Sequence, residues 1–398
     1  MQRLKALDEL TPADLWREVP KDEDEFWRDA REKQLSLVKT MLEGALEEEM
    51  TVLLGAARFR RTELRNGYRN GFYQRDLATQ MGIVTAIRVP RARGERASHA
   101  VFSRYQRRHQ QVNDIIREVF LAGVSTRRVG ETLQALLGEP VSAQTVSRVT
   151  RSLDGEVARF HASPVPDDVR YLLLDGVYLR VKTPLVKRKL VLCAYGITAL
   201  GERRLLSFGL ATAESQAQWE VFLSGLRKRG LRGSNLKLIV TDGCTGLHNA
   251  LNTVFPYVPR QLCWAHKLRN VSNYLKRAQK EECMADARRI YQAETRHAAV
   301  GAYWDWARRW RPEAPKAVAC LERDLEVLLN FLDCPPQHQR MTRTTNAIER
   351  CFREVRRRTR PISCFNNNAS CERIIYAVFS HLNRNWQGNP LRQFTHNS

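Results

Sequence analysis

"VRYLLLDGVYLRVK", residues 169–182, is the stretch on which the fold turns. Its side chains alternate, so Leu173, Asp175, Val177, Leu179 and Val181 fall on one face of a strand. A carboxylate on an apolar strand face is costly to bury unless it is paired or holds a metal ion. Two readings follow. In one, the strand stops at Leu174 and Asp175-Gly176 is an ordinary turn. In the other it runs on to Lys182 and Asp175 has a task; the continuation "VYLRVK" favours that one.

Downstream the texture persists. "KRKLVLCAYGITALG" (187–201) and "RRLLSFGLATA" (203–213) read as strands, "SQAQWEVFLSGLRKRG" (215–230) as a helix, and "LKLIV" (236–240) as a short buried strand. Three strands, a helix and a fully apolar strand predict a mixed sheet with helices packed on it, an α+β fold. From Leu268 to about Asp333 the periodicity is only helical, with the aromatics Tyr303, Trp304, Trp306 and Trp310 serving as core or as a stacking platform.

Asp242 sits just past "LKLIV", at a strand end where α/β sheets place ligand sites; capping the helix "CTGLHNAL" is its alternative role. Glu349 lies in "TTNAIERCFREVRRRTR" (344–360), on a helix whose apolar stripe is Ile348, Phe352 and Val355. It shares its own face with Asn346, Arg350, Arg353 and Arg356. An i,i+4 pair with Arg353 is the plain account, worth a few tenths of a kcal/mol. Together, two strand Asp and a helical Glu fit a pair of Mg²⁺ or Mn²⁺ ions, since Mg²⁺ takes only one or two protein carboxylates. Two such ions roughly 4 Å apart drive phosphodiester displacement. The arginines Arg350, Arg353, Arg356, Arg357 and Arg358 then suit phosphates, or form a solvated charged face. Cys263 and His266 make a C-x-x-H pair, but tetrahedral zinc needs two further ligands. Packing and orienting groups beside the site is the better reading, with Trp264 in the core or against DNA.

Upstream, residues 24–57 predict a helix. "LRNGYRNGFYQR" (64–75) carries two Asn-Gly turn signals, and "QMGIVTAIRVPRARG" (80–94) reads as a strand ending in a basic loop. Ile116 and Phe120, then Val129 and Leu133, then Val146 and Leu153 space three short apolar faces. Gly138-Glu139-Pro140 makes a turn and Ser142 an N-cap. The last two helices resemble a helix-turn-helix. The exposed side of the second would offer Gln144, Thr145, Arg148 and Arg151 to DNA, although any small three-helix unit gives this pattern.

The 398 residues allow two or three domains, and 43% apolar content fits globular ones. A net charge of +22 points to a polyanionic partner, nucleic acid first. The charge is uneven: residues 1–50 carry 8 Lys/Arg against 14 Asp/Glu, residues 51–110 carry 13 against 3. Nine scattered cysteines without a C-x-x-C pair fit reduced thiols in a cytosolic compartment. A signal peptide and a membrane span are both excluded by the charge pattern and the lack of about 18 continuous apolar residues.

"DGVYLRVK", "TDGCTGLHNAL", "QLCWAHKLRNV" and "TTNAIERCFREVRRRTRPI" resemble successive blocks of bacterial Mutator-type transposases, the insertion-sequence-256 group. "ESQAQWEVFLSGLRKRGL", "NGYRNGFYQR" and "AGVSTRRVGETL" extend the resemblance to roughly residues 60–380, while "PRARGERASHAVFSRY" (90–105) departs from it. The resemblance implies a ribonuclease-H-like catalytic domain with an Asp-Asp-Glu triad, matched here by Asp175, Asp242 and Glu349. It also implies an all-helical insertion before the Glu, with Cys263, His266 and Asn346 supporting the site. The implied organisation is a helical segment (1–75), a basic DNA-binding region (76–160), the catalytic domain in two parts (165–270 and 341–398) and the insertion (271–340). The implied activity is metal-dependent cleavage of transposon ends and 3′-hydroxyl transfer into target DNA, by at least a dimer on double-stranded DNA in a bacterial cytoplasm, at the nucleoid. A nuclease that cuts without joining and a non-catalytic DNA-binding derivative are the alternatives.

Overall fold

The computed structural model describes residues 22–60, 62–93, 108–122, 124, 126–137, 141–182, 185–359 and 364–395. The expected Gly138-Glu139-Pro140 turn, most of the 90–105 stretch, the first 21 residues and Arg360 lie outside them. The chain divides into two compact units, residues 1–151 and 152–398.

In the first unit, helix α1 (Glu23–Leu54) starts where Asp22 accepts the Glu25 N–H at 2.7 Å. It ends at Gly55, whose φ of 62° and approach to the Leu64 carbonyl exclude a side chain. Leu35, Val38, Leu42 and Leu46 on α1 pack against Leu77, Val84, Ile87 and Val89 of the hairpin β1 (Arg69–Thr79) and β2 (Gly82–Ala92). The second Asn-Gly pair is therefore not a turn. Asn70-Gly71 lies inside β1, where Gly71 takes φ 66° and the register slips between Arg69 and Phe72, as in a bulge. Helices α2 (Gln110–Leu121), α3 (Thr126–Leu137) and α4 (Ala143–Thr150) follow, burying Ile116, Phe120, Val129, Leu133 and Val146. Ser142 Oγ caps α4 by accepting the Thr145 N–H at 3.2 Å.

The second unit opens with α5 (Leu153–Ala162) and then builds one sheet from β3 (Val169–Lys182), β4 (Val186–Thr198), β5 (Arg203–Ala211), β6 (Leu238–Thr241) and β7 (Arg260–Leu262). Helix α6 (Gln216–Lys228) precedes β6, and α7 (Thr245–Val254) separates β6 from β7. The strand order is β5-β4-β3-β6-β7: the first three antiparallel, β6 and β7 parallel to β3. It is a mixed sheet in an α+β chain. One face buries Leu172, Leu174, Leu190 and Leu192 against Trp219 and Leu223 of α6 and Leu251 of α7. β3 does not stop at Leu174, because pairing with β4 continues to Lys182 opposite Val186.

From α8 (Trp264–Ser272) the chain is helical: α9 (Lys280–Gln292), α10 (Arg296–Trp310), α11 (Pro315–Glu322), α12 (Leu325–Leu328) and α13 (Pro336–Thr342). Tyr303, Trp306 and Trp310 are buried here, and Trp306 donates to the Cys283 carbonyl, so these three are core; Trp304 is exposed. Helix α14 (Asn346–Thr359) then returns to the sheet, and α15 (Asn368–Trp386) packs beside it through Phe352 and Phe379. No helix among the described residues is long and apolar enough to cross a membrane.

Candidate active site

Strand register brings the site together. Leu173 of β3 is level with Val240 of β6, and Val240 with Gln261 of β7. Two residues beyond each comes Asp175, Asp242 and Cys263. Adjacent parallel strands lie about 4.8 Å apart, so three distant side chains emerge side by side at one sheet end. β6 leaves β3 after Leu173, and the next contact on that edge is the bridge of Val181 to Phe365. The edge of β3 between them opens on a cleft of about 530 Å³, which Asp175, His266, Arg269, Glu349 and Arg356 help to line.

Asp175 is 4% exposed, so water does not solvate its charge. Its Oδ1 accepts the Gly176 N–H at 2.8 Å. Burial pushes its pKa up to about 6; His266 opposes the rise, and neighbouring Asp242 adds to it. Asp242 Oδ1 accepts the Cys244 N–H at 3.0 Å, a local turn just before α7, whose N-cap residue is Cys244. Glu349, in the first turn of α14, does not pair with Arg353. Its Oε1 lies 3.5 Å from His266 Nε2 and 3.7 Å from the Arg269 guanidinium.

His266 is the electrostatic hub. The Cys263 thiol beside it, with the charges of Asp175 and Asp242, raises its pKa to about 9 against the opposing effect of burial. Its Nδ1 is buried without a hydrogen-bond partner among the described residues. Burial drives the Cys263 thiol up, but His266 and Thr345 outweigh it and bring it below the ordinary value. Cys263 Sγ also accepts from the Thr345 main chain at 3.3 Å and hydroxyl at 3.5 Å. With the Trp264 N–H donating to the Arg343 carbonyl at 3.1 Å, this ties the start of α8 to the residues just before α14. Trp264 itself is buried, its indole donating to the Leu328 carbonyl at 2.7 Å, so it is core and not a DNA contact.

Asn346 opens α14 and is half-buried. Arg356 faces the cleft; Arg350 and Arg353 are exposed on the same helix without lining it. Arg357 pairs with Glu354, and the Arg358 side chain lies outside the described residues. Gln144, Arg148 and Arg151 are exposed in the first unit, whereas Thr145 is half-buried and its hydroxyl accepts from Ser142 Oγ.

Four residues escaped the sequence reading. Arg180, Arg188 and Arg269 line the cleft. Glu214 follows β5, and its Oε1 is shielded from water without a hydrogen-bond partner among the described residues. A Cβ on Gly176 would lie 3.0 Å from that oxygen, so the glycine keeps room for it. Burial first, then Asp242, pushes the Glu214 carboxyl up. Position after a strand and just before the capping Ser215 was the only signal for it.

Among the described residues no three His, Cys, Asp or Glu side chains form a ready cage for one ion. The donors nonetheless fit ions held two carboxylates at a time. Asp175 adjoins Asp242 and shares a cleft with Glu349, and hard carboxylate oxygens suit Mg²⁺.

Residues 17–389 match the model of "Transposase, Mutator family". The transposase of insertion sequence element ISRM5 from Rhizobium meliloti (strain 1021) is 34% identical over 351 residues, 88% of this chain and 87% of that protein. That of element IS406 from Burkholderia multivorans is 35% identical, covering 88% of this chain and 90% of its own. That of element IS256 in transposon Tn4001 from Staphylococcus aureus is 31% identical with the same coverages. A looser likeness, TM-score 0.31 at 14% identity over 76% of this chain and 83% of the other, is to the Drosophila P element transposase strand transfer complex; it does not bear on the fold. With a family match running from residue 17 to residue 389 and relatives a third identical along most of their length, the chain belongs to the Mutator family of transposases.

Proposed function

We propose that this protein is a DNA transposase whose Asp175, Asp242 and Glu349 form an Asp-Asp-Glu site for end cleavage and 3′-hydroxyl transfer into target DNA. One observation carries the reading: the shared register that sets Asp175, within β3, level with Asp242, just past the end of β6, beside the cleft into which α14 brings Glu349. The sheet is read as ribonuclease-H-like because three antiparallel strands are followed by two short parallel ones. Helices α9 to α13 then belong to the insertion, residues 271–340, that separates its two parts.

Asp175 would be shared between two divalent cations, with Asp242 completing one pair of ligands and Glu349 the other. When bound, such ions activate an attacking water or 3′-hydroxyl and stabilise the leaving oxygen. The chain's own groups prepare the ground. Burial of Asp175 fixes its oxygens and denies them water. Protonated His266 holds positive charge between the carboxylates, limiting their repulsion until cations and DNA arrive. Cys263, by gripping Thr345, positions the helix that carries Glu349. DNA is the partner, and joining two ends to one target calls for at least two copies of the chain.

The test is cleavage of a labelled element-end duplex in Mg²⁺. Asp175→Ala is expected to cut below detection while still binding the duplex; equal cutting by both proteins would end the assignment. Products joined into a supercoiled target separate a transposase from a nuclease that only cuts.

A further inference from the structure

Besides Asp175 and Glu349, the charged residues lining the cleft are His266 and four arginines. Arg180 on β3 stands directly opposite Arg188 on β4 in the antiparallel register. Both are exposed, and both line the cleft. Like charges in directly opposed positions destabilise a strand pair, by something on the order of 0.2–1 kcal/mol. Among the described residues neither arginine makes an ion pair with a carboxylate, although arginines elsewhere in this unit do: Arg204 with Asp168 and Arg311 with Glu322. Lys182, Lys187 and Lys189 flank the pair and add to the imbalance. Arg269 of α8 and Arg356 of α14 line the same cleft from the helical side.

From this arrangement we infer that Arg180 and Arg188, with Arg269 and Arg356, form a seat for the phosphodiester backbone of a single DNA strand running along the open edge of β3 to the carboxylates. The inference rests on reading the site as one that acts on DNA. Arginine forks match phosphate oxygens, and contacts to phosphate carry no base preference, as a site that must accept any flanking sequence requires. One strand fits better than a duplex because Tyr178, on the same strand face as Arg180, lines the cleft at 46% exposure. A free ring of this kind stacks on an unpaired base, whereas the bases of a duplex are already stacked.

The experiment measures binding in EDTA, where nothing is cut, with the full-length protein. Fluorescence anisotropy of labelled oligodeoxythymidine is followed across a salt series for the wild type and the R180Q/R188Q double variant. Each phosphate neutralised on a single strand contributes about 0.7 to the slope of log K against log salt, so removing two arginines should lower the slope by roughly 1.4. The melting temperature should hold or rise, since the variant removes two opposed like charges. Arg308→Gln, at an exposed position of α10 outside the cleft, should leave the slope unchanged. An unchanged slope in the folded double variant would overturn the seat, and so would an equal loss in Arg308→Gln. A loss seen with a duplex probe but not with the single strand would overturn its single-strand character. Failure of the chemistry is a separate result: an Asp175→Ala protein that still cuts would remove the catalytic reading and leave these slopes standing.

Discussion

Asp175 is a buried carboxylate, a cost to the fold that the proposed metal role would account for. Raising its pKa from 3.8 to about 6 corresponds to roughly 3 kcal/mol against ionisation, an upper bound. A proton bound more tightly in the folded state stabilises that state fully below about pH 3.8, and the gain is lost as pH rises through about 6. At pH 8 without metal the ionised group is therefore a net cost. Asp175→Asn keeps the shape without the charge. In EDTA it should melt a few degrees above the wild type at pH 8, with the advantage shrinking towards pH 5, and it should not cut DNA. Thermal unfolding at the two pH values checks this; a lower melting temperature at pH 8 would contradict it. The place of Asp175 on an apolar face of a continuing strand was legible from alternation and the sequence that follows it. The partners of Glu349 were not, because His266 and Arg269 lie more than 75 residues away and no periodicity reports such a contact. Glu214 was hidden for the same reason: its significance comes from Gly176 and Asp242, not from its neighbours in sequence.

Elements position these residues, and the linkage between α8 and α14 is the one to test. Cys263 is buried, and both the Thr345 N–H and hydroxyl point at its sulfur. Cys263→Ala leaves a buried N–H without an acceptor, a loss on the order of 1–3 kcal/mol. It should lower the melting temperature and slow cleavage through a displaced Glu349. Cys263→Ser restores an acceptor oxygen and should recover part of both. Cleavage by the Ala protein at the wild-type rate, or no rescue by Ser, would remove the positioning role. At this scale the sequence was informative wherever structure is local: the long α1, the helices after Leu262, and β3 all follow from periodicity. It misled at Asn70-Gly71, where a dipeptide common in turns serves a bulge within β1. The strand order was beyond its reach, since β3 meets β6 in parallel across more than 60 residues and nothing in "LKLIV" names its neighbour.

At the scale of the whole molecule, the proposed ligands all lie in one unit while basic charge is divided between both: residues 1–151 carry 26 Lys/Arg against 21 Asp/Glu, and residues 152–398 carry 39 against 22. The cleft is lined only by residues of the second unit, from Asp175 to Arg356. The first unit has its own core between α1 and the β1–β2 hairpin, and the stretch 51–110, with its 13 basic against 3 acidic residues, belongs to it. Cation binding should therefore be separable from the share of DNA attraction that the stretch 51–110 supplies. A fragment beginning at Ser152 retains the sheet, both sets of covering helices and every proposed ligand. It should unfold cooperatively, and Mg²⁺ or Mn²⁺ should raise its melting temperature by the same increment as in the full chain. Its affinity for duplex DNA at about 0.15 M salt should fall at least about tenfold, because every phosphate that no basic side chain neutralises keeps its condensed counterion. Loss of the metal-induced shift in a folded fragment would mean that the cation site draws on the first unit. Undiminished duplex affinity would mean that the basic stretch 51–110 is not what holds DNA.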